Sequence, residues 1–133
     1  MLPPSSQPNW RREGPLENTS YALPAALAEL AADDETVVVD LIETFVADTT
    51  ARIRQMRLAI ANGDASKLRA EAHTIRGSAK QIGADTLASA CQELESSESP
   101  LSVLETLLRR IEGQFKEVSE AMIEYCERPV ARP

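Results

Sequence analysis

Apolar residues recur every three or four positions along most of this chain, which is the spacing that gathers them on one face of an α-helix. The pattern predicts two long helices, over about residues 34–61 and 100–126, and two shorter ones between them, over about residues 65–82 and 84–96. A further amphipathic piece at residues 24–32 predicts a short leading helix. The apolar positions of the two long helices are Val38, Ile42, Phe45, Ile53, Met56 and Ile60 in the first, and Leu104, Leu107 or Leu108, Ile111, Phe115, Val118, Met122 and Tyr125 in the second.

Residues that typically begin or end helices stand at the breaks in this pattern. Acidic and hydroxyl side chains accept hydrogen bonds from the first amides of a helix, and glycine adopts the left-handed conformation that often ends one. Consecutive amphipathic helices with short connections form antiparallel neighbours. The sequence therefore predicts an all-α fold, an antiparallel up-down four-helix bundle with a short extra N-terminal helix. The expected N-caps are Asp33 or Asp34, Asp64 and Ser99 (followed by Pro100 in the first turn), and the expected terminating residues are Gly63 and Gly83.

The two ends of the chain differ in composition from the helical part. Residues 1–20 are rich in proline and polar side chains and contain little apolar surface, which predicts a flexible Pro-rich tail or linker. Residues 21–127 form the predicted helical bundle, and residues 128–133 form a C-terminal tail. An isolated aromatic residue, Trp10, lies in the first tail, and whether it contacts the bundle stays open.

The composition excludes several classes of function. The 133 residues carry a net charge of −7, which argues against nucleic acid and anionic membranes as partners, because both attract basic surfaces. One histidine and two cysteines cannot supply the ligand clusters of zinc sites or the paired Glu-x-x-His motifs of di-iron bundles, so no metal site is expected. A serine hydrolase would need a Gly-rich nucleophile elbow, which is missing. The sequence has no signal peptide, spanning segment or dense cysteine pattern, which favours a cytoplasmic protein with Cys91 in its core.

A helical wheel of residues 65–82 separates the single histidine, His73, from the core side. At about 100° per residue, His73 lies about 140° from Leu68, the reference position of the buried face. Arg69, Arg76 and Lys80 fall between about 80° and 120° on the same wheel, beside His73. We therefore expect an exposed imidazole with cations around it. The predicted buried face consists of Leu68, Ala72, Ile75, Ala79 and Ile82.

Gly77 lies in the middle of the same exposed face. An exposed glycine inside a helix costs about 1 kcal/mol relative to alanine, and its missing side chain leaves room one turn beyond His73 for a partner's backbone. Residues 64–85 have a net charge of +1, whereas the helical part as a whole, residues 21–126, has −8. A neutral imidazole flanked by hydrogen-bond donors is suited to accept a phosphoryl group, although each feature alone is common on inert helix surfaces.

The run E-A-H-T-I-R-G-S-A at residues 71–79, followed by I-G-A at residues 82–84, resembles the signature of histidine-containing phosphotransfer (HPt) domains. In that family the pattern is roughly A-H-x-[LIV]-[KR]-G-[SA]-[SA], and a later G-A opens the next helix. The resemblance covers about residues 21–125. It implies a helical bundle that carries a phosphoryl group on an exposed histidine.

The resemblance also implies roles for His73 and for four residues around its ring. His73 is the expected phosphoacceptor. Arg76 stands where the family most often has lysine and would help to hold the phosphoryl oxygens, with Lys80 and Arg69 as auxiliary cations. Arginine keeps the charge but is bulkier, so different transfer kinetics are expected. Glu95 falls where such domains often carry Gln or Glu, and it would accept a hydrogen bond from Nδ1–H and leave Nε2 as the nucleophile; an ordinary exposed glutamate is the equal alternative.

The expected partners follow from the same resemblance. Gly77 matches the family glycine that gives a partner close access, and Ser78 and Thr74 are the expected docking residues beside it. Response-regulator receiver domains would be the partners, with a hybrid histidine kinase as a further candidate. The chain has no P-loop, kinase Gly-rich loop or Mg²⁺-binding motif, so the resemblance implies a reversible carrier without its own kinase activity. No cofactor of its own is expected, because the receiver domain would supply Mg²⁺.

Other interpretations share these residues. A chemotaxis-kinase-type phosphoacceptor domain has the same histidine-x-x-basic-glycine core, but the dimerisation and ATP-binding domains that follow it there have no counterpart in this sequence. A helical adaptor of the same fold would bind signalling partners without phosphorylation. A free-standing monomeric carrier and the C-terminal domain of a hybrid histidine kinase both stay open, as does the direction of phosphate flow.

Overall fold

The structure is a computed structural model that describes residues 24–127, without the side chains of Ala25 and Ala26. The tail predicted for residues 1–20, with Trp10, and the tail predicted for residues 128–133 lie outside the described residues. So do residues 21–23, at the start of the predicted bundle.

The described residues form five α-helices and no strands, which confirms the all-α prediction. The predicted bounds of all five helices agree with the observed ones to within one residue. The helices are α1 (Ala25–Asp33), α2 (Glu35–Asn62), α3 (Ala65–Ile82), α4 (Asp85–Ser96) and α5 (Leu101–Glu127).

Side chains and glycines define most of the helix ends where they are expected. The Asp34 carboxylate accepts a hydrogen bond from the Val37 amide at the start of α2, and Asp64 does the same for Lys67 in α3. Gly63 and Gly83 adopt left-handed φ angles of 70° and 85° at the ends of α2 and α3, a conformation that glycine adopts without steric cost.

The start of α5 differs from the prediction by one residue. Pro100 precedes the helix instead of lying in its first turn, and its carbonyl oxygen accepts hydrogen bonds from the amides of Val103 and Leu104. The backbone amide of Ser99 donates to the Ser97 hydroxyl, so Ser99 belongs to the bend between α4 and α5. Proline before the first turn is compatible with this geometry, because it has no amide proton to satisfy.

Short connections arrange the helices as a closed bundle. The helices α2, α3 and α4 each contact the next helix along the chain, α5 returns to contact α2, and α1 packs against α2. A two-residue turn, Gly83-Ala84, joins α3 to α4, and these two helices share the most extensive contact. The predicted up-down four-helix bundle with an extra N-terminal helix is therefore the observed architecture.

The core consists of the predicted apolar stripes with small adjustments. Ile53 and Ile60 of α2 are only partly buried at its edge, and Leu108, not Leu107, is the fully buried member of that pair in α5. Within residues 24–127, no helix combines the length and the apolar composition that crossing a membrane requires. The fully buried large side chains are Val38, Ile42, Met56, Leu68, Ile75, Leu87, Leu94, Leu104, Leu108, Ile111 and Met122.

Three polar residues of the described helices are buried, and one of them, Ser119 of α5, donates its hydroxyl to the Lys116 carbonyl oxygen at 3.1 Å. Glu71 of α3 is 7% exposed, and its carboxylate pairs with Arg52 of α2 at 3.1 Å and with Lys67 at 3.2 Å. This pair joins α2 to α3 from the side opposite His73. Thr49 of α2 is 1% exposed, and its hydroxyl oxygen has no hydrogen-bond partner among the described residues.

Candidate functional site

The α3–α4 hairpin carries the residues around the single histidine. His73 lies near the middle of α3, and Glu95 lies in the last turn of α4, which runs back alongside it. The apolar face of α3 is buried in the bundle, with Ala72 and Ile75 on either side of His73 at most 1% exposed. Because those neighbours fix the rotation of the helix, His73 points outward, and 63% of its side chain is exposed.

One nitrogen of the imidazole is engaged, and the other is not. Nδ1 of His73 lies 2.6 Å from Oε2 of Glu95. No hydrogen bond or ion pair to another described residue involves Nε2. The site therefore presents one ring nitrogen to solvent on an exposed helix face, where another protein could reach it.

The charge state of Glu95 assigns the proton on the ring. Partial burial alone would raise the pKa of the Glu95 carboxyl, but hydrogen bonds from His73 and Arg76 outweigh it, so this pKa lies below its usual value. An ionised carboxylate only accepts hydrogen bonds, so in the neutral imidazole the Nδ1 atom of His73 carries the proton and donates it. The lone pair is then on Nε2, the exposed nitrogen.

Arg76 acts on Glu95 as well as on the ring. Its Nε donates to Oε1 of Glu95 at 2.9 Å, and its Nη2 lies 3.2 Å from Nδ1 of His73. Since Nδ1–H and Nη2–H are both donors, the second contact brings positive charge to the ring but is not a hydrogen bond. Arg76 thus lies on the Nδ1 side of the imidazole, where it holds the carboxylate that orients the ring. The sequence did not predict this arrangement, because it depends on the rotamer of the arginine.

The two auxiliary cations are not gathered at the ring. Nε of Arg69 donates to the carbonyl oxygen of Ser97 at 2.9 Å, which ties α3 to the bend after α4. Lys80 is exposed two turns beyond His73, and no ion pair or hydrogen bond between described residues joins the two. Of the three predicted cations, only Arg76 contacts His73.

The expected docking residues form a smooth surface beside the histidine. Gly77 is exposed, and a Cβ atom built on it would meet nothing within 4 Å. The hydroxyl groups of Thr74 and Ser78 bond to carbonyl oxygens one turn back in α3, at 3.3 Å from Ala70 and 3.4 Å from Thr74. Both hydroxyls are thus bonded to the backbone of their own helix, and the empty space above Gly77 leaves this face open to close approach by another backbone.

A family comparison agrees with this geometry. The family model of the Hpt domain matches residues 40–121, which include the whole α3–α4 hairpin. This chain belongs to the Hpt domain family. Hpt domains are phosphocarrier modules, and membership assigns the chain to histidine phosphotransfer in phosphorelay signalling.

Two solved structures resemble this Hpt domain. Histidine-containing phosphotransfer protein B from Pseudomonas aeruginosa PAO1 has 32% identity and a TM-score of 0.67, over 78% of this chain and 92% of that one. The Hpt domain of a sensor hybrid histidine kinase from Shewanella has 16% identity and a TM-score of 0.65, over 80% and 93% of the two chains, and it shares the fold. None of the curated proteins matches this chain significantly.

The thiol nearest to the site of this Hpt domain has no chemical part in it. Cys91 of α4 is fully buried, and burial together with the nearby Glu95 carboxylate raises its pKa to about 12, against the opposing effect of Arg76. A thiol with that pKa stays protonated and is a poor nucleophile at neutral pH. Cys91 is a core residue, as its place in an apolar stripe predicts.

Proposed function

We propose that this Hpt domain accepts a phosphoryl group on Nε2 of His73 from the aspartyl phosphate of a receiver domain and transfers it reversibly. The observation that carries the proposal is the 2.6 Å contact between Nδ1 and Glu95, which leaves the lone pair on the exposed nitrogen. The location on a 63% exposed side chain supports it, because a receiver domain must bring its own phosphoryl group to the ring.

The proposed transfer is an in-line displacement at phosphorus. The Nε2 lone pair forms the new N–P bond while the bond from phosphorus to the aspartyl oxygen breaks, and the receiver's carboxylate leaves with that electron pair. The Nδ1 proton stays on the ring, so the imidazole of phosphorylated His73 gains positive charge. The Glu95 carboxylate balances this charge, because it already accepts the Nδ1–H hydrogen bond.

Arg76 keeps Glu95 ionised and in position for this step. Its guanidinium also places positive charge beside the ring, on the Nδ1 side, where it acts on the reacting Nε2 only through the carboxylate and the ring. The receiver domain supplies Mg²⁺ and holds the aspartyl phosphate, and the Hpt domain supplies no cofactor and no kinase activity. Lys80 and Arg69 act only at longer range. A cytoplasmic location, receiver domains as partners and a monomeric carrier are parts of the same proposal.

The experiment uses the single histidine of the sequence. Purified receiver domains are phosphorylated with a labelled small-molecule phosphodonor and mixed with the wild-type chain or with His73→Gln. We expect acid-labile, base-stable label on the wild type and none on the variant, whose helical content should be unchanged because the replaced side chain is exposed. Label on His73→Gln, or no label on the wild type from any receiver of a broad panel, would contradict the proposal.

A further inference from the structure

An apolar groove lies at the junction of α1, α2 and α3, separate from the imidazole. Its volume is about 320 Å³, at the lower end of the range of about 300–1,000 Å³ that is typical of small-molecule pockets. Its apolar walls come from Leu27 and Leu30 of α1, Leu41 and Phe45 of α2, and Ile82 of α3. Leu41 is 43% exposed although it belongs to this wall, so the groove leaves large apolar surface uncovered.

The chain around this groove is strongly acidic. Residues 24–48, which include α1 and the first half of α2, contain seven acidic side chains and no basic one. Asp48 lies directly on the rim of the groove, and Asp40 is two turns before it on the same helix. An occupant of the groove should therefore combine a bulky apolar anchor with basic neighbours.

The groove borders the face that carries the docking residues. Ser78 and Gln81 of α3 line it, and Ser78 is the residue after Gly77. A ligand in the groove would therefore lie beside the path by which a receiver domain reaches His73.

We propose that the groove binds residues 9–12 of the same chain, with the Trp10 side chain inserted between α1 and α2 and with Arg11 and Arg12 facing the acidic rim. The Trp10 side chain is an apolar anchor of a size that suits the groove, since large aromatic side chains bury about 150–250 Å² of surface each. The adjacent arginines are the only basic residues in the first 50 positions of the chain, and their charge is opposite to that of residues 24–48.

The length of the chain before α1 allows this contact. Thirteen residues lie between Trp10 and Pro24, the residue before α1, so fourteen peptide steps connect the two. An extended chain of this length spans at most about 50 Å, whereas the nine residues of α1 span only about 14 Å. The segment can thus turn back along α1 and reach the groove. Because the segment belongs to the same chain, its binding is intramolecular, and a connection of this length corresponds to an effective concentration of about 1 mM.

A segment bound in the groove competes with the receiver domain for this face of the bundle. This competition is the one part of the proposal that rests on the proposed function. With an effective concentration of about 1 mM, a segment that binds at about 0.1 mM occupies the groove in about nine chains of ten. Release of the segment would then speed phosphoryl uptake by about tenfold at subsaturating receiver concentrations.

Trp10 is the only tryptophan of the chain, so its fluorescence reports the contact directly. The full chain, excited beyond the tyrosine absorption band, is compared with a peptide of residues 1–23 for emission maximum and quenching by acrylamide. Leu41→Gln removes apolar surface from the groove. Leu58→Gln is the matched control, because Leu58 is a 55% exposed leucine of the same helix outside the groove.

We expect blue-shifted emission and several-fold weaker quenching in the full chain than in the peptide. Leu41→Gln and the double change Arg11→Glu with Arg12→Glu should restore the values of the peptide, and Leu58→Gln should not. Three results would overturn the proposal: emission equal to that of the peptide, a blue shift insensitive to Leu41→Gln, or a blue shift that disappears on dilution. The last result would show binding between copies of the chain.

The competition with a receiver domain is tested separately. Trp10→Ala in the full chain should raise the rate of phosphoryl uptake from a phosphorylated receiver about tenfold, and Leu58→Gln should leave it unchanged. Docking by fluorescence with no change of rate would refute the competition. If no variant ever takes up phosphate, the proposed function fails, but the fluorescence result still decides whether Trp10 occupies the groove.

Discussion

Two glycines of this bundle form a natural matched pair for testing how a partner approaches His73. Gly77 in α3 and Gly113 in α5 are both exposed within a helix, and a Cβ atom on either would meet nothing within 4 Å. Replacing each by glutamine should therefore raise the free energy of unfolding by about 0.5–1 kcal/mol, because glutamine is a better helix former. For a domain of this size that gain corresponds to a rise of about 2–8 °C in Tm.

The two variants should differ only in phosphoryl transfer. Gly77→Gln places a long side chain one turn from His73 on the face that a receiver domain must approach, whereas Gly113→Gln places it on another helix. A displacement of the reacting groups by about 1 Å can cost on the order of 100-fold in rate, so we expect transfer to Gly77→Gln to slow by about 10–100-fold. Gly113→Gln should transfer at the wild-type rate.

The assay combines thermal unfolding with the rate of label transfer from a phosphorylated receiver domain. Wild-type transfer by Gly77→Gln would show that the open surface at this glycine is not where the partner's backbone approaches. A loss of stability in Gly77→Gln, with the expected gain in Gly113→Gln, would contradict the conclusion that the space above α3 is empty.

Three further predictions concern the packing and charges described above. Because the pKa of Glu95 is lowered in the folded state, its carboxylate contributes stability that is fully present above the ordinary pKa of about 4.3 and is lost as the pH falls through the lowered pKa. Glu95→Gln should therefore flatten the acid side of a stability–pH profile and also slow phosphorylation of His73. A profile with the wild-type slope would contradict this. Thr49→Val should raise the free energy of unfolding by about 1 kcal/mol in chemical denaturation, because it removes a buried hydroxyl without a partner among the described residues. Arg52→Met should cost about 1–3 kcal/mol in the same measurement by leaving buried Glu71 with one cationic partner, and a neutral result would show that this ion pair adds nothing to stability.

The helical period predicted most of the bundle because burial repeats with the turn of a helix. The buried stripe of α3, for example, follows from Leu68 and Ile75 alone, and it fixes the outward direction of His73. The same wheel places Glu71 at the edge of that stripe, about 60° from Leu68. Its burial could have been suspected from this angle, but its partner Arg52 comes from another helix, and the distance between helices is not contained in a periodic pattern.

The details of the site depend on rotamers, which a sequence pattern does not determine. The motif offered Glu95 as a partner of Nδ1 of His73, as one of two alternatives, and the structure places Oε2 of Glu95 2.6 Å from that nitrogen. It did not predict that Arg76 pairs with that carboxylate or that Arg69 turns toward the Ser97 carbonyl. Long cationic side chains choose among several nearby acceptors, and small differences in hydrogen-bond geometry decide the choice.

His73 and Glu95 both lie in the α3–α4 hairpin that the Gly83-Ala84 turn closes, and they are only 22 positions apart in the sequence. Their contact is therefore formed within a single hairpin. Local openings of a native protein start where few contacts hold an element, and among the described helices α1 packs mainly against α2 alone. Hydrogen exchange should therefore show the α3–α4 hairpin protected through fluctuations that release α1. A carrier built in this way keeps its reactive nitrogen oriented while other parts of the bundle open locally. Mutations outside the α3–α4 hairpin can therefore accumulate without altering the contact between His73 and Glu95.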